Sequence, residues 1–134
     1  MRTKVAVLTA VALLLACAVV WAGGSKEAAK ADTIHIALTT PITGDYAEYG
    51  TNFKRSVEMA IEEINAQGGV LGKKFVLSVG DSKGDPKESA NLAQKWTSDS
   101  SIVAQIGDFT SSCCMAAQPI YDRAGMVQLS PTAS

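Results

Sequence analysis

Histidine, cysteine and aromatic residues are scarce in this sequence of 134 residues. There is one histidine, there are three cysteines, and aromatic side chains make up 6% of the chain. No CxxC pair or histidine cluster has the spacing of metal ligands. A catalytic cysteine needs a histidine base, and His35 lies among apolar residues in a predicted strand, as a packed or edge histidine does. The sequence therefore argues against a metal site and against an enzyme, including a hydrolase that uses Cys113 or Cys114.

Glycine motifs that bind phosphate are also missing. There is no GxGxxG, and the segment 69–74 (GVLGKK) lacks both the glycine spacing and the hydroxyl of a phosphate loop. That segment follows a helical pattern and precedes a strand, which is the reverse of the phosphate-loop context. We interpret it as a tight turn between a helix and a strand. No cofactor is expected.

Charge of either sign is not concentrated anywhere in the chain. Without residues 1–22, the sequence has 10 Lys and Arg against 13 Asp and Glu, a net charge of −3. Because no basic stripe is present, nucleic acid is not an expected partner. The length favours one domain.

The first 22 residues have the organisation of a secretory signal peptide. Arg2 and Lys4 precede an uncharged run from Val5 to Val20, and the sequence up to Ala22 fits the small-residue cleavage rule. We expect cleavage after Ala22. An uncleaved anchor is less well supported, because a membrane-spanning helix needs about 20 apolar residues.

A lipid anchor is an alternative form of the same signal. Leu14-Leu15-Ala16-Cys17 resembles a lipobox, in which Cys17 would be lipidated. The apolar residues after Cys17 are atypical of a lipoprotein. In either form the segment 23–32 (GGSKEAAKAD) is predicted to be a flexible leader.

Strand-like and helix-like patterns alternate after this leader. Glycines at 68 and 69 close the first helical pattern, and Asp85 and Pro86 open the second. The order βαβαβαβ predicts an α/β fold with a parallel sheet and helices on both faces. Ligands of such sheets bind beyond the carboxyl ends of the strands. The predicted strands are 34–38, 75–79, 102–106 and 126–129, and the helical patterns cover 53–64, a segment from 86 through Trp96, and 111–123.

Three loops at that edge of the sheet carry hydroxyl and aromatic side chains. The loop 107–112 (GDFTSS) leads into the third helix, whose unpaired N–H groups and positive dipole end attract a carboxylate. Simple N-capping by Thr110 or Ser111 explains the same hydroxyls. The first loop adds Tyr46 and Tyr49, and the last loop, 130–134, adds further hydroxyls. Together they suit a small zwitterion with an apolar part.

Short matches to a known family run in order from Ile34 to Ser134. In them the chain resembles the N-terminal part of the periplasmic leucine/isoleucine/valine-binding proteins of ABC importers. The resemblance implies a type 1 periplasmic binding fold, with two α/β lobes joined by a hinge and the ligand between them. The matching stretches are IHIA from Ile34, TGDYAEYG from Thr43, AIEEINAQGGVLGK from Ala60, Asp85-Pro86, Ile106-Gly107, Ile120-Tyr121, Gly125 and SPTAS from Ser130.

The resemblance also implies a ligand site on the same three loops. It places the ligand's α-carboxylate on Ser111, next to the matching residues Phe109 and Thr110. The ligand's carboxylate and ammonium groups are implied to meet Thr132 and Ser134, and Tyr49 is implied to line the pocket for its side chain.

The chain departs from this family in two respects. Some members join the loop after the second strand to the third helix by a disulfide, but the matching residues here are Gly84 and Thr110. The sequence also ends at Ser134, so the second lobe, the hinge and the acid that meets the ammonium lie outside it. We expect residues 33–134 to be an incomplete lobe, either a fragment or a truncated gene product or one completed by a partner chain. Residues 23–134 alone should bind ligand weakly.

The function that the resemblance implies is extracytoplasmic capture of branched-chain or similar amino acids for an ABC importer. Its partners would be the amino acid and a permease in the inner membrane, and its location the periplasm. A sensor domain of the same fold that binds amides, urea or another small ligand is the alternative.

Overall fold

The described part of the protein, residues 33–133 of a computed structural model, alternates strands and helices throughout. No helix within this range combines the length and apolar character needed to cross a bilayer. The observed order confirms the predicted βαβαβαβ pattern. The elements are β1 (Thr33–Thr40), α1 (Ala47–Ala66), β2 (Lys74–Asp81), α2 (Pro86–Ser98), β3 (Ile102–Ile106), α3 (Ser111–Ala124) and β4 (Val127–Leu129).

The four strands form one parallel sheet in the order β2-β1-β3-β4. Helix α1 packs on β1 and β2, whereas α2 and α3 pack against each other. Because parallel crossovers are right-handed, reversing direction after β2 places α2 and α3 on the face opposite α1. The strand order therefore reverses between β1 and β3, and such a switch point is where sheets of this kind bind ligands.

Several elements are longer than their hydrophobic patterns predict. Strand β1 continues through Thr39 and Thr40, whose side chains are buried although they are polar. The indole N–H of Trp96 donates to the Thr39 hydroxyl at 3.0 Å, which satisfies both groups inside the protein. Helix α1 begins at Ala47, before its apolar face does, and Gly50 near its start is buried close against the Pro41 carbonyl oxygen.

The main core lies between the sheet and the pair α2 and α3. Small side chains at the helix contact, Ala93 and Ala117, let the two helices approach each other closely. At the far side of the sheet β4 is an edge strand, and its Val127 and Leu129 side chains are more than half exposed. The remaining buried members of the core are Ala37, Trp96, Ile102 and Tyr121.

Two local predictions are confirmed. Val70 and Lys73 exchange backbone hydrogen bonds of 2.9 Å in each direction, which makes the segment before β2 a tight turn. Asp85 caps α2 by accepting the N–H groups of Lys87 and Glu88, with Pro86 at the first helical position.

Candidate functional site

The loops that follow β1 and β3 meet at the switch point of the sheet. Gly107, directly after β3, has a φ of +120°, and a Cβ built there would lie 1.9 Å from the Thr39 carbonyl oxygen. Only glycine adopts this backbone conformation readily and leaves room for the neighbouring strand. Gly107 therefore lets the β3–α3 loop cross closely over the end of β1.

Phe109 is the centre of an aromatic cluster at this crossing. Its ring stacks on Tyr49 at a centroid distance of 5.0 Å and contacts Tyr46 at 5.4 Å and Phe53 at 6.0 Å. Tyr46 and Tyr49 remain 42% and 56% exposed, so the cluster presents aromatic surface to solvent. The structure thus brings together Tyr46, Tyr49 and Phe109, the aromatic residues singled out in the sequence, and adds Phe53 of α1.

Helix α3 begins beside this cluster. Thr110 is its N-cap, with φ −100° and ψ 146°, and its hydroxyl accepts the Cys113 N–H at 3.3 Å. Of the two N-caps considered from sequence, the structure therefore selects Thr110, and Ser111 becomes the first helical residue. The first turn contains no acidic residue. Its positive dipole end is consequently not compensated by a carboxylate of its own turn.

The loop after β4 lies against the same residues. The Thr132 hydroxyl donates to the Phe109 carbonyl oxygen at 2.7 Å, which joins the two loops directly. The donor of Thr132 is occupied in this way, while its oxygen lone pairs remain acceptors. Ser134 lies outside the described residues.

A buried carboxylate, Asp108, links the β3–α3 loop to helix α2. Asp108 is 2% exposed and accepts a hydrogen bond of 2.6 Å from the Ser89 hydroxyl of α2. Its other carboxylate oxygen accepts the N–H of Phe109. Asp108 thereby fixes the backbone of Phe109 relative to α2, a role that the sequence did not reveal because Ser89 is 19 residues away.

A second carboxylate, Asp81 at the end of β2, holds the β1–α1 loop. It accepts hydrogen bonds from the Ile42 N–H at 2.8 Å and from the Thr43 hydroxyl at 2.6 Å. It also accepts the N–H of Lys83 at 2.9 Å. Burial acts to raise the pKa of Asp81, but the hydrogen bonds from Thr43, Ile42 and Lys83 outweigh it and the pKa is lowered. The available sequence signal was an aspartate followed by Ser-Lys-Gly, which is typical of a turn.

The loop after β2 reaches the aromatic cluster through Tyr46. A Cβ at Gly84, whose φ is +71°, would lie 2.7 Å from the Tyr46 ring, so this ring packs directly on the glycine backbone. Tyr46 in turn contacts Phe109. Packing on Tyr46 therefore connects the loop that carries Gly84 with the loop that carries Phe109 and Thr110.

The two adjacent cysteines are buried and unbridged. Burial raises the pKa of Cys113, and the Asp108 carboxylate adds to that effect against weaker opposing hydrogen bonds from Ser89 and Thr110. The thiol is therefore protonated at neutral pH.

His35 lies near the start of β1, at the opposite end of the strand from the site. Its Nε2 is 2.9 Å from the Thr33 hydroxyl.

Comparisons with known proteins identify relatives of this chain and of its fold. The Leu/Ile/Val-binding protein homolog 1 of Brucella abortus (strain 2308) is 35% identical over 117 residues, which are 87% of this chain and 30% of that protein. The crystal structure of the branched-chain amino acid transporter substrate binding protein LivJ from Streptococcus pneumoniae, in complex with isoleucine, matches with a TM-score of 0.73 and 32% identity. That match covers 76% of this chain and 29% of LivJ.

A third protein adds a second ligand complex. The ABC transporter substrate-binding protein from Desulfitobacterium hafniense in complex with Leu matches with a TM-score of 0.67 and 34% identity, over 76% of this chain and 29% of that one. The chain thus spans about 30% of the length of the relatives it matches. The family model described as "Periplasmic binding protein" matches residues 33–134. This chain therefore belongs to the periplasmic binding protein family.

Proposed function

We propose that the protein carrying this chain captures a branched-chain or similar aliphatic amino acid outside the cytoplasm and delivers it to an ABC importer. It is a binding protein in this proposal, without catalytic residues of its own. The observation that carries the proposal is the pairing, at the switch point of the sheet, of exposed aromatic rings with a first turn of α3 that contains no acidic residue. An aliphatic amino acid has matching apolar and carboxylate groups.

The proposed contacts fall into two groups, those with the apolar side chain of the ligand and those with its carboxylate and ammonium groups. Tyr49 and Phe109 would contact the aliphatic side chain, because their stacked rings form the open apolar surface of the crevice. Ser111 and the backbone at the start of α3 would bind the carboxylate, with Thr110 holding the turn. Thr132 and Ser134 would bind the carboxylate and ammonium groups from the opposite loop. The relatives with bound isoleucine and Leu support this choice of ligand.

Export and partners complete the proposal. Residues 1–22 would direct secretion, with a lipid anchor at Cys17 as the alternative, and residues 23–32 would separate the signal from the domain at 33–134. The permease of the importer would be the partner in the inner membrane. A second lobe would close over the ligand and supply the remaining contacts.

Calorimetric titration of the full-length protein with leucine, isoleucine and valine tests this function. We expect saturable binding of at least one of them and a loss of affinity of about tenfold or more in Ser111→Ala, because a hydrogen bond to a charged group is removed. Ser112→Ala, which changes the adjacent serine, is the matched control and should bind nearly as the unmodified protein does. Saturable binding of acetamide or urea with no response to the three amino acids would instead identify the amide or urea sensor.

A further inference from the structure

The thiol of Cys114 connects the β3–α3 loop to the loop after β4. The Asp108 N–H donates to Cys114 Sγ at 3.1 Å, and the Cys114 thiol donates to the Ser130 hydroxyl oxygen at 3.3 Å. The same Ser130 oxygen accepts the N–H of Ala133 at 3.1 Å. The Asp108 carbonyl oxygen, at 3.4 Å, is a second acceptor for the thiol proton. One side chain of α3 thus bonds to both loops.

The pocket beside Cys114 makes its hydrogen bonds to Asp108 and Ser130 important for the spacing between the β3–α3 loop and the loop after β4. An open pocket of about 300 Å³ borders the thiol and is lined by Ser111 at the start of α3 and by Ser130 and Ala133 of the loop after β4. Because this pocket is open to solvent, side-chain packing does not bridge the start of α3 and the loop after β4 across it. On this side of the site the spacing of the loops depends on hydrogen bonds more than on close packing.

We propose that Cys114 is a positioning residue, which sets the distance between the two loops that contact the ligand. The inference rests on the proposed function, because Phe109 lies on one of these loops, which leads into Ser111 at the start of α3, and Thr132 lies on the other. Cys114 itself is 7% exposed and acts through Asp108 and Ser130 rather than through the ligand. Its neighbour Cys113 is equally part of α3, but the hydroxyl groups that its thiol contacts belong to Ser89 and Thr110, neither of which lies on the loop after β4.

Two substitutions separate hydrogen bonding from packing at this position. Cys114→Ser keeps one donor and one acceptor, whereas Cys114→Val keeps apolar volume and removes both. In leucine titrations of the full-length protein, we expect Cys114→Val to lose about tenfold in affinity and Cys114→Ser to stay within about threefold. The opposite order, with valine tolerated and serine not, would overturn the proposal because the thiol would then serve packing alone. Cys113→Ala is the control for loss of a buried thiol and should bind within about twofold.

Combining the substitutions tests the link between the two residues. If Cys114 acts through Ser130, then the affinity lost in the double variant, Cys114→Val with Ser130→Ala, should be clearly smaller than the product of the two single losses. Ser130→Ala alone also frees the Ala133 N–H. Losses that multiply would show two independent effects and would contradict the proposal.

Amide hydrogen exchange gives a measurement that needs no ligand. In Cys114→Val, the Asp108 and Ala133 amides should exchange about three- to tenfold faster than in the unmodified protein, and in Cys113→Ala they should not. If the unmodified protein binds none of the amino acids, the proposed function fails, and ligand positioning fails with it. In that case amide hydrogen exchange still shows whether the Cys114 thiol joins the β3–α3 loop to the loop after β4. An unchanged Ala133 exchange rate in Cys114→Val would overturn that link whatever the protein binds.

Discussion

Helices α2 and α3 lie on the same face of the sheet and begin at the same edge, but their first turns are electrostatically different. Helix α2 starts with Asp85, whose carboxylate accepts two backbone N–H groups at 2.8 and 3.0 Å, and has Glu88 in its first turn. Helix α3 starts with the neutral Thr110, which accepts one N–H at 3.3 Å, and has no acid in its first turn.

This difference separates a helix start built for stability from one suited to a ligand. The carboxylates of α2 already compensate the positive end of its dipole, so an external anion would be repelled there. The carboxylate nearest the start of α3, Asp108, is buried and accepts hydrogen bonds from Ser89 and Phe109, so the first turn itself is left for an anion from solution. The aromatic cluster stands beside α3, where an amino acid would need apolar contact as well. The predictions below test this contrast.

The largest expected effect is a difference in stability between alanine substitutions at Gly107, ahead of α3, and Gly84, ahead of α2. Gly107→Ala places a methyl group on the Thr39 carbonyl oxygen, a backbone atom that cannot move aside, and should cost roughly 3 kcal/mol or more of unfolding free energy. Gly84→Ala should cost less, since its Cβ meets the Tyr46 side chain. Urea denaturation measures both. Gly125→Ala, with a φ of +66° and open space around its Cβ, is the control for conformation alone. A loss at Gly107 no larger than at Gly125 would refute the close approach.

An acidic cap should make the start of α3 resemble that of α2. Thr110→Asp should lower leucine affinity by about tenfold or more, because the new charge repels the ligand carboxylate, while thermal stability is kept, since Asp caps at least as well as Thr. Calorimetry and thermal unfolding measure the two effects. Thr110→Asn has nearly the same shape without the charge and should lose much less affinity. Equal losses in both variants would show that charge is not the cause.

Removal of the cap of α2 should affect stability and leave binding intact. Asp85→Ala frees the two N–H groups that Asp85 accepts and should cost about 1 kcal/mol. Asp85→Asn keeps a side-chain acceptor and should cost less. Thermal unfolding gives the stability change, and a leucine titration checks that affinity is unchanged. A fall in affinity comparable to that of Thr110→Asp would mean that the two helix starts are not functionally distinct.

The smallest expected effect is the contribution of Asp81 to the pH dependence of stability. Asp81 ends β2, the strand that precedes α2. Its folded pKa is lowered below the usual 3.8, so the unfolded chain takes up the proton first as the pH falls. The stabilisation from Asp81 is therefore fully present above about 3.8 and is lost as the pH drops through the folded pKa. Asp81→Asn should remove this part of the acid dependence in urea denaturation series. A variant with the same acid dependence as the unmodified protein would contradict it.

Sequence reasoning was most successful where the signal was local. The order of strands and helices followed from periodicity. The rule that parallel sheets bind ligands at their carboxyl edge pointed to the loops that hold Tyr46 and Phe109, whereas Tyr49 lies in α1 and the ligand site stays a prediction. The Asp85 cap was visible as Asp-Pro before a helical pattern.

The long-range hydrogen bonds that hold the loops of the site in place could not be predicted in the same way. Asp81 bonds to Ile42, 39 residues earlier, and Cys114 bonds to Ser130, 16 residues later. Such partners are brought together only by the order of strands in the sheet, which periodicity does not determine. The polar ends of β1 and β2 were missed because their threonine and aspartate side chains do not match an apolar strand pattern, although Thr39 and Thr40 are buried.

The packing of Tyr46 between Gly84 and Phe109 bears on how the protein responds to its redox environment. Within residues 33–133, the three crevice loops are held by ring contacts and hydrogen bonds, and both cysteines are free thiols. Folding of this part of the chain therefore requires no thiol oxidant and no disulfide isomerase. Millimolar reductant should leave its unfolding midpoint unchanged, in contrast to a relative whose loops are joined by a disulfide.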